Sequence, residues 1–245
     1  MMRVLAALAA LFMGGAGAAN DEAALLADFR RAVATAEQHA AARYAFTLDF
    51  EDLSEKKPRV FRVRFDPRKP AGARWTPVDP SADQYGKAEK AAFDRMTSND
   101  EADEALVYET LAETLDETRL LSADAASAVF SIPVNSEETP AAVREALAAT
   151  ATLDRKGSFI SSIEIRSTRP FKPAAVAKIK SMRQVQRYAA PVDGGPALLV
   201  ATESDAEGSA MFKAFASKAR IAYSEFEKVD APPRPAKPAT TPSPP

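Results

Sequence analysis

From Tyr44 to Asp66 the chain alternates apolar and polar residues with a period of two. Tyr44, Phe46, Leu48 and Phe50 alternate with Ala45, Thr47, Asp49 and Glu51. After a charged turn over Leu53 to Pro58, Phe61, Val63 and Phe65 alternate with Arg62, Arg64 and Asp66. Side chains of a strand point alternately to opposite faces, so the two segments predict neighbouring antiparallel strands, apolar on one face and solvated on the other. An apolar sheet face has to be covered, which obliges the rest of the chain to supply a lid. Pro67 and Pro70 interrupt the alternation, and Arg74-Trp75-Thr76 resumes it.

The second half returns to strands. Ala151 and Leu153 lead into Asp154-Arg155-Lys156-Gly157, a turn in which the glycine is expected to supply positive φ. Phe159, Ser161, Ile163 and Ile165 then face one way, and Ser162, Glu164 and Arg166 the other. Strands are expected over 176–189 and 197–203, around the Gly194-Gly195-Pro196 turn. Residues 209–218 fit both periods, because Phe212, Phe215 and Ala219 also match helical spacing. They are read as a strand, followed by a last strand from Ile221 to Val229.

Four helical segments accompany these strands. Leu25, Leu26, Phe29, Val33, Ala36 and Ala40 form an apolar stripe, with Asn20 or Asp21 as N-cap. Ser98 and Glu101 have capping-box spacing before a stripe of Leu106, Val107, Tyr108, Leu111 and Leu115. A weaker helix is expected over Ser81 to Met96, and a short one within Pro140 to Ala149, where proline falls in the first turn.

Both ends fall outside this pattern. Arg3, the apolar run Val4 to Met13 and the small residues Ala16-Gly17-Ala18 have the order of a secretory signal peptide, too short to span a bilayer. The expectation is a signal peptide over 1–18, one domain over 19–230 and a periplasmic product. Ala231 to Pro245 contains seven prolines. Proline donates no backbone hydrogen bond and fixes φ, so a disordered, extended tail is expected there.

Composition narrows the chemistry. The 245 residues include no cysteine and one histidine, His39, which excludes a thiolate site and a multi-histidine metal cluster. With 32 basic and 34 acidic residues the formal charge is −2, the wrong balance for a nucleic-acid binder. Asp100, Asp103 and Glu104 lie with Glu101 at an expected helix start, where the dipole accounts for them. No nucleophile elbow and no glycine-rich phosphate loop occurs. His39, at the edge of its stripe, reads as a half-exposed structural residue. The reading is therefore a non-enzyme without cofactor or metal. Whether the helices leave a greasy concavity for an acyl chain, or close it into an ordinary core, stays open at this level.

The segment Lys69-Pro70-Ala71-Gly72-Ala73-Arg74-Trp75 resembles the basic-Pro-x-x-x-Arg-Trp element of the LolA/LolB family of periplasmic lipoprotein carriers. The preceding order of signal peptide, amphipathic helix and strand Tyr44 to Leu48 is similar too. Leu153 to Phe159 resembles that family's late hairpin, and Tyr223-Ser224-Glu225-Phe226 its closing strand. The resemblance implies an α+β fold in which a strongly curved antiparallel sheet, an incomplete β-barrel, is covered by a few helices. It implies a cavity lined by Tyr44, Phe46, Leu48, Phe50, Phe61, Val63, Phe65 and Trp75, with Lys69 and Arg74 at the rim. Lys69 stands where the family carries an arginine, and the acidic stretch 81–117 replaces a shorter region. The implied ligand is a lipid or acylated lipoprotein, and inner- and outer-membrane transport partners and a monomer are the matching expectations. The alternative is a non-catalytic envelope scaffold that holds partners on its sheet surface and Pro-rich tail; a carboxylate hydrolase ranks last.

Overall fold

The computed structural model describes residues 15–54, 58–86, 90–91, 93–94, 97–98, 102–134, 140–174, 176–211 and 213–232. Most of the expected signal peptide, Glu101 of the expected capping box and nearly all of the Pro-rich tail lie outside these residues. Eleven strands are described: β1 (Arg43–Asp52), β2 (Arg59–Phe65), β3 (Trp75–Asp79), β4 (Arg119–Ala123), β5 (Ser127–Ile132), β6 (Leu147–Asp154), β7 (Phe159–Ser167), β8 (Phe171–Ala174), β9 (Ala177–Tyr188), β10 (Leu199–Ala210) and β11 (Lys213–Val229). They form one antiparallel sheet in the order β3-β2-β1-β11-β10-β9-β7-β6-β5-β4, with β8 added to β9. The first strand pairs with the last, and β3 and β4 are left as open edges. The sheet is curved and not closed, and strands dominate it more than the expected α+β class implies.

The paired strands Tyr44–Phe50 and Phe61–Phe65 form as their alternation requires. Phe46 faces Phe65, Leu48 faces Val63, and Phe50 faces Phe61 across the ladder. Their polar neighbours lie on the convex face, where cross-strand ion pairs recur: Arg62 with Asp49 at 3.2 Å, Arg183 with Glu164 at 2.8 Å and Arg220 with Glu51 at 3.7 Å. The apolar face is covered by helix α1 (Gly15–Gln38) and by two 3₁₀ segments, Ala102–Leu106 and Glu109–Glu117. From α1, Leu25, Phe29, Ala32, Val33 and Ala36 enter one core with Phe46, Phe65, Phe130, Leu153 and Ile160.

Several expectations are corrected. Helix α1 starts at Gly15, so Asn20 and Asp21 lie inside it and cap nothing. The stripe Leu106 to Leu115 is two 3₁₀ segments separated at Tyr108, whose φ of −95° and ψ of 38° leave the helical region. Strands β4 and β5 were not foreseen. The expected helix within 140–149 shrinks to α2 (Ala141–Arg144), and β6 begins at Leu147. In the following turn the positive φ falls on Ser158, at 52°, and not on Gly157. A bulge between Ile160 and Ser162 shifts the phase of β7, so Phe159 and Ile160 are both buried. The ambiguous stretch 209–218 spans the turn between β10 and β11, and β10 runs seven residues past its expected end at Glu203.

Candidate functional site

The end of β11 carries the irregularity that builds the site. Ala45 pairs with Glu227 but Thr47 pairs with Ser224, so β11 has one extra residue opposite Phe46. Glu225 takes φ of 52° within that bulge. The extra residue inverts the alternation: Tyr223 and Phe226 both turn inward against Phe46, with ring centroids 5.7 and 6.4 Å away. Glu225 and Glu227 turn outward, where Thr47 Oγ1 donates to Glu225 at 2.5 Å and Arg68 Nη1 donates to Glu227 at 2.9 Å. Lys228, two residues beyond Phe226, pairs in register with Tyr44 and shares its inward face.

Tyr44, Phe226 and Lys228 form one wall of a half-open pocket of about 680 Å³ at this end of the sheet. The C-terminal end of α1 adds His39, and the β9–β10 connection adds Val192, Leu198 and a turn through Gly194 and Pro196. That connection is shaped by positive φ at Asp193 (52°) and Gly194 (73°). A second bulge, at Val200, frees this side chain from the ladder to line the pocket while Leu199 enters the core. The wall is therefore mainly apolar and backbone, with Lys228, His39, Asp193 and the Tyr44 phenol as its ionisable groups.

The phenols around this end stay neutral. Burial raises Tyr44, Tyr188 and Tyr223 above the ordinary tyrosine value, and burial raises Tyr108 as well. Tyr108 and Tyr188 meet edge to face at 5.0 Å, and the Ile160 amide donates to the Tyr108 hydroxyl at 3.2 Å. Among the described residues no cluster of three His, Cys, Asp or Glu side chains is placed to hold a metal ion.

Of the residues expected to line a cavity, Tyr44 borders this pocket. Phe46, Phe65 and Trp75 are instead packed together in the interior beside it, with Phe65 and Trp75 centroids 4.9 Å apart. Leu48 and Val63 are buried in the same core. Phe50 and Phe61 pair further along the strands, and Tyr85 covers Phe61 edge to face at 5.7 Å. Lys69 and Arg74 sit on the β2–β3 turn at the same end of the sheet as the pocket, without lining it. There Lys69 Nζ donates to Thr76 Oγ1 at 2.6 Å, and Arg74 Nε donates to the Lys69 carbonyl at 3.2 Å. The sequence reading missed Val200, Phe226, Lys228 and the 189–198 connection, and gave His39 no role.

No protein-family model matches the sequence. No curated protein matches it either. Among solved structures, the chain is similar to a LolA superfamily protein from Nitrosomonas europaea, at 11% identity and a TM-score of 0.38, over 83% of this chain and 94% of that one. That is a distant likeness of fold.

Proposed function

We infer that this chain is a non-catalytic periplasmic binding protein or carrier for a lipid or lipidated protein, and that the acyl chain occupies the pocket between Tyr44, Leu198, Val200 and Phe226. The observation that carries the reading is that pocket. Its volume of about 680 Å³ falls within the ~300–1,000 Å³ usual for ligand sites. Its wall continues into the aromatic core through Phe226, and its rim carries a lysine. Each methylene removed from water contributes about 0.8 kcal/mol, so a chain of ten buried methylenes gains roughly 8 kcal/mol before ordering costs. Lys228 adds a salt-sensitive attraction to a carboxylate or phosphate at the mouth.

Displacement of a fluorescent fatty acid tests this directly. Wild type should bind it, and Val200→Trp, which fills the pocket from a half-buried position, should bind at least about tenfold more weakly with an unchanged circular dichroism spectrum. Equal binding by both places any ligand elsewhere.

One observation favours the envelope-scaffold reading. Phe46, Val63 and Phe65 have no exposed surface, so the concave face beneath α1 is packed and offers no continuous trough. On that reading wild type binds no fatty acid, and organic extraction of the purified protein yields no lipid.

A further inference from the structure

The far ends of the same strands form a projection with a different character. The ladder between β1 and β11 stops at Ala219, and one residue further the Leu53 amide donates to the Lys218 carbonyl while the Lys218 amide donates to the Ser54 hydroxyl at 3.0 Å. Strand β11 begins at Lys213, so its first six residues run past β1. At about 3.4 Å per residue the β10–β11 hairpin extends roughly 17 Å beyond its neighbour. It is backed by the first half of β9, itself flanked by the short β8. The hairpin is tightly built: a side chain at Gly208 would run into the Lys178 carbonyl and the Phe215 ring, so only glycine lets these strands close. This end lies at the opposite pole of the sheet from the pocket.

Among the described residues, two large apolar side chains stand exposed at the extremity. Met211 is 74% and Val176 58% exposed, and the Met211 amide donates to the Val176 carbonyl at 2.9 Å, which fixes them side by side. Around them stand Lys172, Lys178, Lys180 and Lys213, all exposed, with Glu207 the one acidic residue at this level among the described residues. Among the described residues none of these four lysines has an ion-pair partner, whereas Lys218, further down the hairpin, is paired with Asp205. Lys178 is in register with Ser209 and Lys213 with Ala210, adjacent residues of one strand, so the two lysines project from opposite faces and ring the tip. Four lysines against one glutamate give a local charge of +3 on a chain whose formal charge is −2.

We propose that this hairpin tip docks the protein on an anionic lipid surface, with Met211 and Val176 entering the headgroup layer and Lys172, Lys178, Lys180 and Lys213 set against lipid phosphates. A protruding apolar point ringed by unpaired cations complements a negatively charged bilayer, which accepts insertion from any azimuth. A protein partner would need a matching concave, acidic surface. The proposal stands apart from the pocket reading, since the two sites lie at opposite ends of β10 and β11.

Flotation of the full chain with vesicles tests it, each variant read against wild type so that any contribution of the N-terminal apolar segment cancels. Wild type should partition at least about tenfold more strongly onto vesicles of 30:70 phosphatidylglycerol and phosphatidylcholine than onto pure phosphatidylcholine. Salt at about 0.5 M, where the Debye length is roughly 4 Å, should abolish the difference. Lys178→Glu with Lys213→Glu should reduce anionic binding at least about tenfold, and Met211→Ser severalfold. Lys156→Glu, the reversal of one lysine on the β6–β7 turn at the other pole, should leave it unchanged, whereas Lys178→Glu or Lys213→Glu alone, the same charge change at the tip, should weaken it. All these positions are exposed, so circular dichroism should be unaffected. Equal binding to both vesicle types, an equal loss in Lys156→Glu, or a lysine-dependent dimer in solution would overturn the proposal.

Discussion

Arg43 and Asp103 form a buried ion pair, with Nε donating to Oδ2 at 2.8 Å and Nη2 to Oδ1 at 3.3 Å. Their side chains are 3% and 0% exposed. The Tyr44 amide adds a third bond to the same carboxylate at 3.2 Å, and Arg43 Nη1 donates to the Pro232 carbonyl at 2.7 Å. One guanidinium thus ties the first 3₁₀ segment, the start of β1 and the chain beyond β11 together beside the pocket. The desolvation of both charges offsets much of their attraction, but a lone buried charge has nothing to offset it. Asp103→Ala should therefore cost about 3–5 kcal/mol and lower the thermal midpoint by roughly 10 °C, read by calorimetry or urea titration. A loss below about 1 kcal/mol would mean that the pair is solvated in solution.

Glu225 joins a left-handed backbone to a useful carboxylate, and two substitutions separate these. Glu225→Ala removes the bond from Thr47 and the outward charge near Arg64 while keeping a side chain at φ of 52°. Glu225→Gly removes the same bond but relieves the backbone by about 1 kcal/mol. Glu225→Gly should thus be the more stable variant in urea denaturation. The reverse order would show that the bulge is not strained.

The legible parts of the fold were those in which the period-two pattern runs unbroken. Tyr44–Phe50 and Phe61–Phe65 identify strands, faces and neighbours because each apolar residue has a partner opposite. Strand β4 escaped because Arg119–Ala123 is almost wholly exposed on a sheet edge and writes no alternation; in β5 the buried Ala128, Phe130 and Ile132 do alternate, but the outward Val129 turns the pattern into a short apolar run. In β7, β10 and β11 the bulges at Ser161, Val200 and Glu225 break the phase: Ile163 and Ile165 share the core face as the alternation expects, but Ile160, out of phase with them, is buried as well. The pocket depends on two of these bulges, which is why Val200, Phe226 and Lys228 were not found. The sequence did hold one hint: Phe226 and Lys228 are out of phase with Tyr223, a break that a bulge explains.

Phe29 of α1 and Phe130 of β5 meet at 4.6 Å with neither exposed, a contact that ties the helix to the far half of the sheet. Phe29→Ala should cost about 3–5 kcal/mol. Phe130→Ala should cost a similar amount, and the double variant less than the sum, because the two rings share one void. Strict additivity in chemical denaturation would show that α1 does not pack here in solution.

Asp66 sets the acid limit of the β2–β3 turn that carries Lys69 and Arg74. Its carboxylate accepts from Arg68 Nε and Nη2, both at 2.9 Å, and from the Arg68 amide at 3.0 Å. These bonds, with the Arg68 and Lys69 charges, hold its pKa below the ordinary aspartate value. The facing acid, Glu227, is itself bonded to Arg68 at 2.9 Å. Because the folded value lies below the unfolded one of about 3.9, ionised Asp66 stabilises the fold fully above about pH 5. The contribution fades as pH falls through 4 towards the folded value. Asp66→Asn cannot ionise and should be less stable than wild type at pH 7, with the gap narrowing steadily between pH 5 and pH 2. Urea midpoints of both proteins across that range measure it. A gap that stays constant, or widens in acid, would show that the Arg68 contacts do not favour the charged carboxylate, and that the turn is held by the Asp66 amide bond to the Arg74 carbonyl at 2.9 Å.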